Sequence, residues 1–109
     1  MKYNILTDID FDKGLKRLSK KYLSLKKDVN DLITNIEKEL ILADDLGNGF
    51  KKIRLNIKSK GKGKSGGGRV ITYEILATIY DKNVFFALIY DKGEYSTIDL
   101  EQLKKNLDL

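Results

Sequence analysis

The stretch Lys51–Ser59, KKIRLNIKS, decides how the chain is read. Ile53, Leu55 and Ile57 occupy alternate positions, and Lys52, Arg54, Asn56 and Lys58 fill the positions between them. Side chains of a strand alternate between its two faces, so this spacing predicts a strand with one aliphatic face for a core and one cationic face turned away from it. The stretch runs on into Lys60–Gly68, KGKGKSGGG. Glycine at this density holds neither helix nor strand firmly, which predicts a flexible connection. Arg69–Ile79 is rich in Val, Ile, Thr and Tyr and reads as a long strand. A hairpin turn at Asp81–Asn83 leads to a buried strand over Val84–Tyr90. Three strands in antiparallel succession therefore make up most of the second half.

Upstream the period changes. Lys2–Leu6 reads as a short strand, and then Phe11, Leu15, Leu18 and Tyr22 recur as a one-sided helical stripe. Asp8, Asp10 and Asp12 lie where they suit a helix start and its dipole. Gly14 weakens this helix by about 1 kcal/mol relative to alanine. Leu25, Val29, Leu32, Ile33, Ile36 and Leu40 form a second stripe with Ser24 as its cap. The short link near Leu23 predicts an antiparallel helical hairpin. Lys13, Lys16, Lys20, Lys26 and Lys27 fall mainly on the outer faces and read as solvated surface. Asp44–Gly49, DDLGNG, is a turn cluster that ends the helical half. Thr97–Leu107 reads as a short closing helix, with Asp99 and Gln102 at a capping-box-like start. The expected class is α+β: an N-terminal helical hairpin packed on a small antiparallel sheet with a short C-terminal helix, in one domain spanning residues 1–109.

Composition narrows the chemistry. The 109 residues include no cysteine and no histidine, which removes disulfides, thiol chemistry and the commonest acid/base side chain. Any reaction must use Lys, Arg, Tyr, Ser, Thr or carboxylates. Met1–Lys2–Tyr3 leads directly to Asp8, Asp10 and Asp12 without an apolar leader, and the longest apolar stretch, Val84–Tyr90, is strand-sized. A soluble, cytoplasmic protein without membrane partners is expected. The net charge of +5 is unevenly placed: Phe50–Val70 carries eight basic residues and no acid, and the remainder sums to −3. Interleaved lysines and glycines neutralise a phosphate backbone and let it approach closely. Lys58, Lys60, Lys62 and Lys64 are the expected RNA contacts, and Tyr73, Tyr80, Tyr90 and Tyr95 are aromatics able to stack on bases. Gly63–Lys64–Ser65 lacks the upstream glycine of a phosphate-binding P-loop, because position 58 is Lys58. The acids around Asp10 lack the glycine and distal glutamate of a calcium loop, so no metal site and no cofactor is expected.

The helical hairpin, Lys52–Ile53–Arg54–Leu55, SKGKGKSGGGRVITYEI (Ser59–Ile75) and LIYDKGE (Leu88–Glu94), taken in this order, resemble the RelE/HigB group of toxins from bacterial type II toxin–antitoxin systems. The resemblance covers nearly the whole chain, and its most specific part is the K-I-R strand with the GKSGG-x-R loop. It implies a RelE-like fold and a ribosome-dependent mRNA endonuclease. In such an enzyme the ribose 2′-OH attacks the adjacent phosphate without a metal, and the partners are the ribosome, mRNA and a cognate antitoxin. By the same resemblance, Lys52, Arg54 and Arg69 stabilise the scissile phosphate, and Lys92 matches a basic position after the last strand. Gly93 and Asp99 stand where the RelE branch carries a candidate acid arginine and a catalytic tyrosine. Proton transfer then falls to Tyr95 or to Lys92, or cleavage is weak or absent. On this reading Arg69→Ala abolishes toxicity and leaves the fold intact. The alternatives are a ParE-like DNA gyrase inhibitor, from the same superfamily, and a non-catalytic RNA-binding module.

Overall fold

The structure, a computed structural model, describes residues 1–95 and 98–107. It is an α+β fold built on a five-stranded mixed sheet of order β1-β5-β4-β3-β2. The strands are β1 (Lys2–Thr7), β2 (Asp44–Gly47), β3 (Phe50–Leu55), β4 (Gly68–Leu76) and β5 (Asp81–Asp91). The helices are α1 (Ile9–Lys21), α2 (Leu25–Thr34), α3 (Ile36–Leu42), a single turn α4 (Gly63–Gly66) and α5 (Leu100–Asn106).

Alternation in β3 works as the spacing predicts. Ile53 and Leu55 are buried against the helices, joined by Ile57 just beyond the strand, while Lys52 and Arg54 lie on the other face. The main core brings Phe11 and Leu18 of α1, Leu25, Val29 and Leu32 of α2, and Ile36 and Leu40 of α3 against that aliphatic face. A fully buried aliphatic or aromatic side chain stabilises by about 1.5–3 kcal/mol, so this face holds the fold together. A smaller cluster on the opposite face packs Phe50, Ile71, Ala87 and Tyr90 under Leu103 of α5. Gly14 has a purpose that its propensity hides. A Cβ there would stand 2.8 Å from the carbonyl oxygen of Ile89, so the glycine lets α1 lie directly on β5.

Several sequence expectations are corrected. The sheet is not wholly antiparallel, because β1 pairs in parallel with β5, from Lys2 opposite Asp81 to Thr7 opposite Phe86. The chain must leave β1 where α1 begins, and α1 lies back across β5; Asp8 N–H extends the ladder to the Phe86 carbonyl at 3.0 Å. The expected turn at Asp81–Asn83 is already strand, since all three residues pair with β1 and Lys82 and Asn83 also pair with β4. The turn lies earlier, where the Ala77 N–H bonds the Asp81 carbonyl. DDLGNG is more than a turn: Asp44–Gly47 pairs with β3, and Gly47, Asn48 and Gly49 supply positive φ angles for the reversal. The second helical stripe is interrupted at Asn35, which turns its side chain onto the Asp31 carbonyl. Ser24 sits at the start of α2 but makes no side-chain cap; its hydroxyl donates to Asp28 instead. Asp8 precedes α1 without a side-chain cap bond as well. Asp99 does cap α5, accepting from the Gln102 N–H at 3.1 Å, and of the expected closing helix Thr97 lies outside the described residues.

The glycine–lysine connection carries local structure that its glycine density does not predict, a 3-10 turn at Lys58–Lys60 and the α4 turn, and its entry is tied to the start of α2. The Ser59 N–H donates to Ser24 Oγ at 2.8 Å and the Lys58 N–H to Asp28 at 3.1 Å. Gly67 serves packing, since a Cβ there would collide with the Leu55 carbonyl oxygen, whereas Gly61 and Gly63 supply positive φ angles.

Candidate functional site

The face of the sheet opposite α1–α3 is only partly covered by α5, and beside it the strand ends form a cleft. Arg69 on β4 lies directly across from Tyr90 on β5, and Lys52 on β3 lies across from Ile71, two residues along the same face. The turn after β5 brings Lys92 and Gly93 round to them. Tyr95 returns to stack edge-on against Tyr90, ring centroids 5.2 Å apart. Lys52, Arg69, Tyr90, Lys92, Gly93 and Tyr95 line an open cleft of about 360 Å³. Three cations and two phenols line it, with no carboxylate among the described residues.

Each cation is held differently. Arg69 is the most enclosed, at 9% exposure. Its guanidinium donates to the carbonyls of Gly68 at 2.9 Å, Ser65 at 3.0 Å and Lys64 at 3.1 Å. Three of its five donors are thereby used on the loop backbone, and the remainder is left for the cleft. Lys52 is half-buried and Lys92 is exposed, and neither forms an ion pair among the described residues. The Lys92 N–H donates to the Gly67 carbonyl at 3.1 Å, so the same loop that Arg69 grips also anchors the backbone of Lys92. Burial pushes the Tyr90 phenol above its ordinary pKa, against the opposing pull of Arg69, which keeps its proton in place near neutrality.

Asp91 organises the turn behind the cleft. It accepts hydrogen bonds from the Tyr22 hydroxyl, from Lys60 Nζ at 2.7 Å and from the Gly93 N–H at 3.3 Å. Burial opposes its charge, but Lys60, Tyr22 and Gly93 outweigh that and hold the carboxyl down at about 2. Glu94 adds a second tie, accepting from the Asp91 N–H at 2.8 Å and pairing with Arg17 of α1 at 3.0 Å.

The structure therefore brings together four of the residues expected to do chemistry, Lys52, Arg69, Lys92 and Tyr95, and leaves Arg54 outside. Arg54 reaches off the edge of β3 toward Asp44, 3.9 Å away, into a hollow shared with Glu39 and Lys64. The lysines expected to contact RNA are mostly committed elsewhere: Lys58 to Asp31 at 3.5 Å, Lys60 to Asp91, and Lys64 to Glu39 at 3.0 Å. Lys62 is exposed and forms no ion pair among the described residues. Tyr90 is the cleft residue not singled out for chemistry from the sequence. Its place follows from its register opposite Arg69, which the spacing of apolar residues does not specify.

A multiply charged oxyanion of phosphate size fits this chemistry, with ammonium and guanidinium groups around it and phenol donors beside it. Among the described residues, no three carboxylates gather as metal ligands, and no helix is long and apolar enough to cross a membrane. No protein-family model matches the sequence.

Proposed function

We propose that the chain is a RelE/HigB-like toxin whose cleft cuts mRNA on the ribosome. The observation that carries this reading is the convergence of Lys52, Arg69 and Lys92 with Tyr90 and Tyr95 in a cleft that no carboxylate of the described residues lines. The ribose 2′ oxygen attacks the adjacent phosphorus, the bond from phosphorus to the 5′ oxygen breaks, and a 2′,3′-cyclic phosphate and a 5′-hydroxyl result. Charge builds on the phosphorane oxygens in the transition state, and cations fixed beforehand stabilise it without reorganising. Lys52 and the spare donors of Arg69 supply that stabilisation from the sheet. The Tyr90 phenol, which keeps its proton, donates a hydrogen bond to the same oxygens. Proton transfer to and from the ribose oxygens falls to Lys92 and Tyr95 on the cleft rim, in place of the residues that Gly93 and Asp99 replace.

Incubating the purified protein with mRNA-programmed ribosomes and mapping new 5′ ends tests this reading. Wild-type protein is expected to give discrete cuts bearing 5′-hydroxyls. Lys52→Ala is expected to slow cutting by roughly 10²–10³-fold, the usual loss when one preorganised oxyanion donor is removed, and Lys92→Ala by roughly 10²–10⁴-fold, the usual worth of a positioned acid or base. Growth arrest with intact transcripts and broken DNA would replace the proposal with gyrase inhibition. Ribosome binding without cuts would replace it with a non-catalytic RNA-binding role.

A further inference from the structure

Residues 13–27, KGLKRLSKKYLSLKK, hold seven basic residues and no acid. This density matches that of the loop segment but its setting differs. The stretch forms most of α1, the link, and the start of α2. Leu18 and Leu25 are turned into the core, whereas Lys13, Lys16, Arg17, Lys20, Lys21, Lys26 and Lys27 are exposed. Spacings of three and four place Lys13, Lys16, Arg17 and Lys20 on one outer face of α1. Arg17 alone among the seven has a carboxylate partner in the described residues, Glu94. Two acids of α2 are already engaged: Asp28 accepts from Ser24 and the Lys58 backbone, and Asp31 pairs with Lys58. Lys58 thus occupies an α2 carboxylate that would otherwise screen this face.

The two helices also shape a receptacle. Lys16 and Lys20 of α1 and Lys26 of α2 border an open hollow of about 560 Å³, with Leu15, Ser19 and a single acid, Asp12, completing it. Lys16 and Lys20 stand about 6 Å apart along the helix axis, four residues at 1.5 Å each. Next to this face, Tyr22 ends α1. Lys21 and Lys60 flank the ring of Tyr22, at 5.3 and 5.9 Å from its centre, and the Tyr22 hydroxyl bonds Asp91, the neighbour of Lys92.

We infer that the outer face of α1 and α2 is a second contact surface, one that takes the phosphate backbone of RNA independently of the cleft. Lysine acts as a mobile point charge without a directional fork, which suits sequence-independent neutralisation of successive phosphates. A membrane surface is the poorer fit, because an interfacial helix must offer its apolar face to lipid, and α1 has buried Phe11 and Leu18 in the core.

The test uses the full chain and a short fluorescent oligouridine with 2′-O-methyl riboses, which cannot be cut by 2′ attack. Its outcome is therefore separate from whether the cleft is a nuclease. Binding is followed by anisotropy from about 50 to about 200 mM salt. In K16Q/K20Q/K26Q the slope of log affinity against log salt is expected to become shallower by about 2, at roughly 0.7 for each single-strand phosphate that is no longer neutralised. Affinity at the low end of that salt range is expected to fall at least about tenfold. K16R/K20R/K26R keeps the charge and is expected to bind like wild type. Unchanged affinity and slope in the glutamine variant would overturn the inference. So would loss of binding to phosphatidylserine vesicles or polyglutamate with RNA binding intact, which would assign the face to lipid or to an acidic protein.

Discussion

The cleft and the glycine–lysine loop are built from the same kinds of side chain and use them in opposite ways. In the loop, Lys58, Lys60 and Lys64 each meet a carboxylate, and the segment becomes a brace that joins α2, α3 and the end of β5. In the cleft, Lys52, Arg69 and Lys92 converge without a carboxylate among the described residues, and Arg69 satisfies part of its donor set on uncharged carbonyls. A cation neutralised by a fixed acid contributes to shape. One surrounded by other cations retains its attraction for an incoming anion. The difference teaches that the density of lysine along the chain does not show which cations stay unpaired; the disposition of the acids does.

Arg69 stands on both sides of that division, and its removal is expected to have the largest structural effect. Arg69→Ala leaves three loop carbonyls without their donor, at a cost of roughly 2–3 kcal/mol in urea unfolding, where charged hydrogen bonds to buried groups carry about this weight. Loss of activity in this variant would therefore mix site and scaffold, contrary to the expectation that the fold survives intact. Unfolding within about 0.5 kcal/mol of wild type would instead make Arg69 a cleft residue alone.

Asp91 gives the next effect and has a pH signature. Its carboxyl titrates at about 2 in the folded chain against 3.8 in the reference state. A depressed folded pKa contributes stability that is present above about 4 and disappears as the pH falls toward 2. Asp91→Asn is expected to lower stability near neutrality and to flatten the acid limb of the stability profile between those values. Parallel acid limbs in variant and wild type would show that Lys60 and Tyr22 do not hold the carboxylate charged.

The smallest effect belongs to the exposed braces. Lys64→Gln removes a pair with Glu39 and is expected to change stability by less than about 1 kcal/mol and cleavage by less than about twofold, since such exposed pairs contribute little. A large fall in cleavage would return Lys64 to the contact surface and blur the contrast between loop and cleft.

Much of this architecture is legible in the order of residues. The period of two in β3 and the helical stripes from Phe11 to Tyr22 and from Leu25 to Leu40 each predict the face that is buried. The Asp99 cap is legible too, whereas the grouping of Lys52, Arg54, Arg69, Lys92 and Tyr95 comes from the resemblance, and the cleft holds all of these but Arg54. The pairing of the loop lysines is not legible, because their partners lie 25 to 31 residues away and are brought near only by the packing of helices on the sheet. Arg54 follows the alternation of β3 faithfully and still leaves the cleft, because β2 is too short to cover that part of the strand edge and Asp44 draws it outward. Gly14 reads as a weakness until Ile89 is placed against it.

The parallel strand β1 has a further consequence in time rather than in space. Asn4 bonds the side chain of Asn83, 79 positions further along, and every rung of the β1 ladder spans a similar separation. The other strands pair with sequence neighbours through hairpins or one compact loop. Loop closure is slower as the intervening chain lengthens, so the meander of β2 to β5 can assemble while the first strand has no partner. In synthesis from the N-terminus, the segment made first is then the last to enter the sheet. Tyr3 and Ile5 complete their side of the core only when β5 has been made.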